Sequence, residues 1–192
     1  MALHFAVVYG SVRSGRQGIK YARFLEAQLV ARGHAVSFID PLHYRLPLLE
    51  KMFKEYPPGE APAPLPELAE IIRAADGFLI VSGEYNHGIP PALKNLLDHF
   101  LEEWFWRPSA IACYSAGAFG GVRAAVQLRA TLCELGMPSI PSMQPMPRVQ
   151  DQFDDDGTPR DPAHPRRVAR FLDEFEWYAG ALRQARQAGV PY

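Results

Sequence analysis

A loop rich in glycine, serine and arginine follows the first apolar segment of the chain and precedes a helical pattern. It reads GSVRSGRQG over residues 10–18. Backbone N–H groups at a helix N-terminus bind anions, because they lack partners within the helix and carry the positive end of its dipole. Ser11 and Ser14 add hydroxyl donors, while Arg13 and Arg16 add positive charge. We therefore expect this loop to hold a phosphate group.

The kind of phosphate follows from motifs that the loop does not match. In a nucleoside triphosphate P-loop, four residues separate the first glycine from Gly-Lys-Ser/Thr, whereas here Gly10 is followed at that spacing by Gly15, Arg16 and Gln17. The dinucleotide fingerprint G-x-G-x-x-G is also missing. These differences disfavour ATP or GTP hydrolysis and favour a terminal monophosphate. The alternative, a solvated pair of surface cations, fits Arg16 better than Arg13.

Two further loops of small residues follow apolar segments in the same way. They read GEYNHGIPP over 83–91 and YSAGAFGG over 114–121. In a doubly wound parallel sheet, ligands bind beyond the carboxyl ends of the strands, where the strand order reverses. Any one of these loops could be an ordinary strand-to-helix turn, which also favours glycine and capping residues. Three of them at one edge of a sheet indicate a binding site.

Alternating short apolar and longer amphipathic segments predict the sheet that would carry these loops. Strands are predicted over 3–9, 35–40, 77–83, 109–115 and 139–148, and helices over 18–32, 66–76, from Pro90 onward, 121–135 and 162–187. Strands that alternate with helices form a parallel sheet covered on both faces. The pattern therefore predicts a doubly wound α/β fold with strand order 2-1-3-4-5, in a single domain over 1–192.

The composition limits the partners and the compartment. The 192 residues suffice for one domain and carry a formal net charge of -1. Without dense Lys/Arg clusters, the chain gives no electrostatic reason to bind nucleic acid or an anionic membrane. Cys113 and Cys133 are the only cysteines, which is ordinary in a reducing cytosol, and the first residues lack the pattern of a secretion signal. We expect a cytoplasmic protein.

The three loops and their flanking residues resemble those of the NADPH-dependent FMN reductase family. The similar residues are GSVR after the first strand, EYNHGIPPALKNLLDHF after the third and SAGAFGGVRAAVQLR after the fourth. The similarity covers about residues 3–150, and E-Y-N-x-G-x-P-x-x-L-K-N is its most specific part. It implies a flavodoxin-like fold, FMN as cofactor and NADPH or NADH as co-substrate. The acceptor would be a flavin, a quinone or another small electrophile. Because the dinucleotide fingerprint is missing, the nicotinamide and the acceptor are expected to share one shallow position, which predicts ping-pong kinetics.

Carried over position by position, the resemblance implies a set of cofactor-binding residues. The FMN phosphate would be held by Ser11, Arg13, Ser14, Gly15, Arg16, Gln17 and Gly18. The isoalloxazine ring would lie beside Glu84, Tyr85, Asn86, His87 and Gly88, and its pyrimidine or ribityl side beside Ser115, Gly117, Gly120 and Gly121. No catalytic side chain is required, because the flavin supplies the redox chemistry. The common pattern has serine and asparagine where this chain has Arg16 and Gly18.

Other constellations in the chain lead to different functions. CYSAG lacks only the first glycine of a nucleophile elbow, and Asp161 and His164 follow in hydrolase order, so a serine hydrolase that uses Ser115 is an alternative. A non-enzymatic electron carrier and an FMN-free binding module are further alternatives on the same fold. The acidic loop 151–161 does not match a calcium-binding loop and is expected to be solvated, so no metal site is predicted.

The segment after Pro90 is expected to contact other subunits. Residues 93–106 are interpreted as one helix with more aromatic surface than one core face can bury, which indicates a homodimer or homotetramer and a wall for the flavin site. An aromatic core edge is the alternative. Lys94 and Asp98 would pair within this helix or, as the resemblance implies, across a subunit boundary. The Pro-rich segment 41–66 is expected to be irregular, and His87 to contact substrate or line the pocket.

Overall fold

The structure, a computed structural model, describes residues 2–192 and contains a five-stranded parallel sheet. Its strands are β1 (His4–Tyr9), β2 (Ala35–Ile39), β3 (Gly77–Gly83), β4 (Ser109–Tyr114) and β5 (Ser139–Met146). The order is β2-β1-β3-β4-β5, and each neighbouring pair is parallel. The predicted flavodoxin-like α/β class is confirmed. Because the order reverses at β1, the loops after β1 and β3 lie side by side.

Within the described residues, five α-helices cover the two faces of this sheet. They are α1 (Gly18–Ala31), α2 (Leu65–Ala74), α3 (Pro91–Asp98), α4 (Val122–Glu134) and α5 (His164–Ala188). Successive side chains of β1 point to opposite faces. Phe5 and Val7 pack in a core with α1 and α5, whereas Ala6 and Val8 pack in a second core with α2, α3 and α4. Burial on both faces explains why β1 and β3 are continuous hydrophobic runs in the sequence.

The helix predicted over 93–106 is wrong beyond Asp98. The helix α3 ends there, and a separate turn of 3-10 helix follows. Phe100 and Trp104 are fully buried, and the Trp104 ring meets Phe78 edge-on near the start of β3, with 4.8 Å between ring centroids. Their spacing reflects burial at the edge of the core, not a continuous exposed helix. This edge is where the parallel strands begin, so these aromatic residues do not wall a site at the carboxyl edge.

The segment from 41 to 66 is irregular, as predicted. Its regular structure is limited to a 3-10 turn at Phe53–Glu55 and the first residues of α2. Phe53 N–H donates to the carbonyl of His99 over 2.7 Å, and the Phe53 ring lies 5.8 Å from that of Phe100. The segment is therefore fixed to the end of α3 through its middle part.

The acidic loop 151–161 is solvated, as predicted. Asp154 and Asp155 are exposed, and they pair with Arg160 and Lys20 across 2.9 Å each. No group of acidic, histidine or cysteine side chains within residues 2–192 is arranged to hold a metal ion. In the same part of the chain, no helix combines the length and the apolar character that crossing a membrane requires.

Candidate functional site

The loops after β1, β3 and β4 meet around one cavity of about 250 Å³ at the carboxyl edge of the sheet. Each loop contributes lining residues, and the segment after β5 closes one side. The meeting of these loops at one edge follows from the parallel arrangement of the strands. This cavity is the candidate functional site.

Some of the predicted site residues line this cavity, and the others do not. Those that line it are Ser11, Arg13, Gly15, Arg16, Gln17, Gly18, Glu84, Tyr85 and Ser115. Those outside the lining are Ser14, Asn86, His87, Gly88, Gly117, Gly120 and Gly121. The lining also includes Gly83, Tyr114, Ala116, Val149 and Gln150, which the prediction missed. Tyr114 and Ala116 could have been found as neighbours of Ser115, whereas Val149 and Gln150 belong to no motif.

The N-terminus of α1 contributes Gln17 and Gly18 to the cavity lining. Gln17 is the N-cap residue, and no side chain caps this end of the helix. The Lys20 N–H donates to the Gln17 carbonyl over 3.2 Å. The N–H groups of Gly18 and Ile19 precede it and have no side-chain acceptor, which leaves them available to an anion. Arg13 is exposed at the same place in the lining and adds a positive charge. The end of the cavity at α1 is thus suited to a phosphate.

Arg16 is held by Asp40, the residue that follows β2. Its Nη1 and Nη2 donate to the two carboxylate oxygens over 2.6 and 2.7 Å, and Nη1 also donates to the carbonyl of Ser11 over 3.2 Å. Burial alone would raise the pKa of Asp40, but the Arg16 guanidinium and the Leu42 N–H together hold it below its usual value. Arg16 therefore braces the first loop, and much of its charge is neutralised.

A group of hydroxyls lies beneath the first loop. The oxygens of Ser11 and Tyr85 are 2.9 Å apart, and the Tyr114 hydroxyl donates to that of Tyr9 over 3.2 Å. Burial raises the pKa of both Tyr9 and Tyr114, so both stay protonated at neutral pH. The cavity lining at Tyr114 thus carries a neutral hydroxyl that is hydrogen-bonded to Tyr9.

Glu84 directs its carboxylate to the N-terminus of α4. Oε2 accepts the backbone N–H groups of Arg123 and Ala124 over 3.0 and 3.1 Å, and Oε1 lies 3.5 Å from the Arg123 guanidinium. Since α4 follows Gly121 and has no side-chain cap at its own N-cap position, Glu84 supplies the missing acceptor and a favourable negative charge. This carboxylate joins the loops after β3 and β4.

Asn86 and His87 form the tip of a tight turn between Tyr85 and Gly88. Both tip residues have left-handed backbone, with φ of 51° and 66°. Tyr85 and Gly88 exchange two backbone hydrogen bonds of 3.1 and 2.9 Å, and Gln127 donates to the carbonyl of His87 over 3.0 Å. Such backbone is strained in residues other than glycine and is found often at functional sites.

The glycines of the third loop are required by packing. Gly121 has a φ of 85°, and a Cβ there would lie 2.7 Å from the carbonyl oxygen of Tyr114. Gly120 has a φ of 63°, and its Cβ would lie 3.0 Å from the side chain of Pro145. Both glycines let the chain turn closely over the ends of β4 and β5.

The serine hydrolase constellation is not assembled. Ser115 Oγ donates to the carbonyl of Gly117 over 3.1 Å. The His164 Nε2 atom is buried and has no hydrogen-bond partner among the described residues, and its ring stacks on Phe153 with 5.7 Å between centroids. A nucleophilic serine needs a hydrogen-bonded base, and His164 does not fill that role here.

Comparison with protein families matches most of this chain. A sequence profile described as NADPH-dependent FMN reductase matches residues 3–150. A quinone reductase of Pseudomonas putida is 31% identical over 176 residues, which cover 88% of this chain and 91% of the relative. A 2-hydroxy-1,4-benzoquinone reductase of a Burkholderia species is 37% identical over 134 residues, which cover 67% of this chain and 69% of that protein.

Solved structures with the same fold include the NAD(P)H:acceptor oxidoreductase FerB of Paracoccus denitrificans. It superposes with a TM-score of 0.75 at 23% identity, over 94% of this chain and 98% of FerB. At this identity the likeness concerns the fold alone.

Proposed function

This chain belongs to the NADPH-dependent FMN reductase family, and on that premise we propose that it reduces small electrophilic acceptors at the cavity at the carboxyl edge. It is an enzyme that uses FMN as cofactor and NADPH or NADH as co-substrate. The proposed acceptors are a flavin, a quinone or another small electrophile. Two of the similar proteins carry names of quinone reductases, which supports a quinone among these.

The donors around the cavity fit the phosphate of FMN. The first turn of α1 has no side-chain cap, and Gln17 and Gly18 line the cavity at that end. Arg13 is exposed there and adds a cation, and Ser11 adds a hydroxyl. Amides, a guanidinium and a hydroxyl are the donors that a dianionic phosphate accepts. These donors support our proposal that the loop from Ser11 to Gly18 holds the phosphate, with Arg16 bracing the loop through Asp40.

Bound FMN would supply the redox chemistry, accepting a hydride from the nicotinamide and passing two electrons to the acceptor. The protein has to bind, orient and shield this group. We propose that backbone groups of Glu84, Tyr85, Asn86, His87 and Gly88 flank one side of the ring, with Ser115, Gly117, Gly120 and Gly121 near the other. The Glu84 carboxylate holds these two loops together through α4.

Coenzyme and acceptor are proposed to use the same open side of the cavity in turn. The sequence has no dinucleotide fingerprint, so the nicotinamide coenzyme is expected to bind shallowly. One shared position predicts ping-pong kinetics. Initial rates at several fixed acceptor concentrations should give parallel double-reciprocal lines, and intersecting lines would contradict the shared position.

The observation that carries this proposal is the uncapped N-terminus of α1 in a cavity shared by three loops. The direct test is the visible spectrum of the purified protein after incubation with FMN and desalting. We expect a retained flavin band that bleaches on anaerobic addition of NADPH and returns with quinone. Continuous turnover with quinone separates an enzyme from an electron carrier. A protein that retains no FMN would overturn the proposal.

Three further predictions accompany this function. We propose that residues 1–192 act as one FMN-binding domain. We also propose a homodimer or homotetramer, whose contact would involve the exposed side of α3 rather than an extended 93–106 helix, and light scattering on the purified protein tests it. The cytoplasmic location expected from the sequence stays a prediction.

A further inference from the structure

We propose that Tyr114 is a positioning residue that sets the N-terminus of α1 against the phosphate of the cofactor. This inference rests on the proposed function and adds a residue that is not among the cofactor-binding residues implied by the family resemblance. Tyr114 is the last residue of β4, is buried, and lines the cavity. Three sets of contacts carry the argument.

The first contact is between the Tyr114 ring and Gly18. A Cβ added to Gly18 would lie 2.1 Å from Cζ of Tyr114 and 2.4 and 2.5 Å from its two Cε atoms. These distances are far below van der Waals contact, so the ring occupies the volume of any side chain at position 18. Gly18 is the first residue of α1. The Tyr114 ring therefore fills the space that a side chain at position 18 would need.

The second set of contacts fixes the ring at the ends of two strands. A Cβ added to Gly83, the last residue of β3, would lie 3.2 Å from Cε2, Cζ and the hydroxyl oxygen of Tyr114. The Tyr114 ring also stacks on that of Tyr9 at the end of β1, with 6.3 Å between centroids and an angle of 19°. The ring is therefore held between the ends of two strands and the start of α1. It acts as a spacer that sets the height of the helix N-terminus above the sheet.

The third contact is the hydrogen bond that the Tyr114 hydroxyl donates to Tyr9. Burial raises the pKa of Tyr114, so this hydroxyl is a neutral donor throughout the physiological range. The bond fixes the ring along its long axis, which is the direction that determines contact with Gly18. Both the ring and the hydroxyl are then needed to place the amides of α1.

The position of these amides matters for the phosphate and much less for the flavin ring. Riboflavin has the same ring and ribityl chain as FMN and no phosphate. A defect in the placement of α1 should weaken FMN binding and spare riboflavin binding. A general loss of packing or of the cavity wall should weaken both.

The experiment measures dissociation constants of the apoprotein for FMN and riboflavin by flavin fluorescence. Tyr114→Phe keeps the ring and removes the hydroxyl, and we expect FMN affinity to fall about three- to tenfold, the usual effect of one hydrogen bond. Gly18→Ala forces the ring aside, and we expect a loss of about tenfold or more. Riboflavin affinity should change less than twofold in both variants.

Two additional variants separate this positioning from a merely structural role. The first is the double variant Gly18→Ala/Tyr114→Val, in which no ring clashes with the new Cβ. Its FMN affinity should therefore be within twofold of that of Tyr114→Val alone. Tyr44→Phe is the matched control, since Tyr44 is also a buried residue and its hydroxyl donates to Glu67 over 3.0 Å, away from this cavity. It should leave the FMN-to-riboflavin affinity ratio unchanged.

Several results would overturn the inference. The first is an equal loss of FMN and riboflavin affinity, and the second is an unchanged FMN affinity in Tyr114→Phe and Gly18→Ala. The third is that Gly18→Ala lowers FMN affinity by the same factor in the wild-type and Tyr114→Val proteins. FMN binding by the wild-type protein tests the proposed function separately. If wild-type protein binds FMN and the variants bind it equally well, only the role of Tyr114 fails.

Discussion

Replacing Asp40 with asparagine should lower the free energy of unfolding of the apoprotein by about 2 kcal/mol at pH 7. Asp40 and Arg16 are paired through two hydrogen bonds of 2.6 and 2.7 Å, and their side chains are only 14% and 17% exposed. Two unit charges about 4 Å apart attract by about 4 kcal/mol at an effective dielectric constant of about 20. Desolvation opposes part of this attraction, and asparagine keeps one acceptor for Arg16. About half of the attraction remains as the expected loss.

The assay is urea unfolding followed by circular dichroism for wild-type protein, Asp40→Asn, Arg16→Gln and the double variant. We expect a coupling energy of about 2 kcal/mol between the two sites. Glu26→Gln is the matched control, because Glu26 pairs with Arg23 on the exposed side of α1, and such pairs contribute less than about 1 kcal/mol.

The dependence on pH gives a second measure of the same pair. The folded-state pKa of Asp40 lies below its usual value of 3.8. A carboxylate with a lowered pKa stabilises the fold above its unfolded-state pKa and loses that effect as the pH falls through the folded-state value. The difference between wild-type protein and Asp40→Asn should therefore be constant near neutrality and shrink below pH 3.8. A coupling energy near zero, or a difference that does not change on acidification, would refute this account of the pair.

Three other changes have defined outcomes. Glu84→Gln removes the negative charge at the N-terminus of α4 and should lower the free energy of unfolding by about 1 kcal/mol, measured by urea unfolding; an unchanged value would mean that the charge contributes nothing. Arg13→Gln should weaken FMN binding about tenfold and reduce its dependence on salt, measured by fluorescence titration in rising KCl; the same salt dependence as wild type would exclude Arg13 from the phosphate site. Burial lowers the pKa of His164, so wild-type stability should decrease as the pH falls below 6.5, where the unfolded chain binds the proton more readily. His164→Phe should reduce the loss of unfolding free energy between pH 7.5 and 5.5, which lie about one unit on either side of the usual histidine pKa. An equal loss in the wild-type and variant proteins would contradict this prediction.

The sheet and its loops could be predicted because their signals are local. The apolar runs of β1, β3 and β4 are each buried on both faces, and glycine-rich turns follow them. The helix over 93–106 was overextended for the opposite reason. Apolar spacing indicates burial, not the type of helix. Phe100 precedes the 3-10 turn and Trp104 ends it, and both side chains are fully buried.

The parts of the site that escaped prediction depend on contacts between distant residues. The partner of Arg16 is Asp40, which lies 24 positions away, and the partners of the Glu84 carboxylate lie 39 and 40 positions away. Tyr114 reaches the site because β4 and α1 are brought together by the sheet. None of these pairings has a signature in the local sequence, so only the three-dimensional arrangement reveals them.

The distribution of aromatic residues has a spectroscopic consequence. Trp104 and Trp106 lie next to the starts of β3 and β4, and Trp177 on α5 lies beside Leu3 and His34, which precede β1 and β2. None of these three tryptophans lines the cavity, which tyrosines surround instead. Indole emission should therefore report unfolding at the amino edge of the sheet, with no contact quenching by a flavin at the opposite edge. Tryptophan emission can then follow unfolding of the apoprotein, and flavin fluorescence can follow cofactor loading.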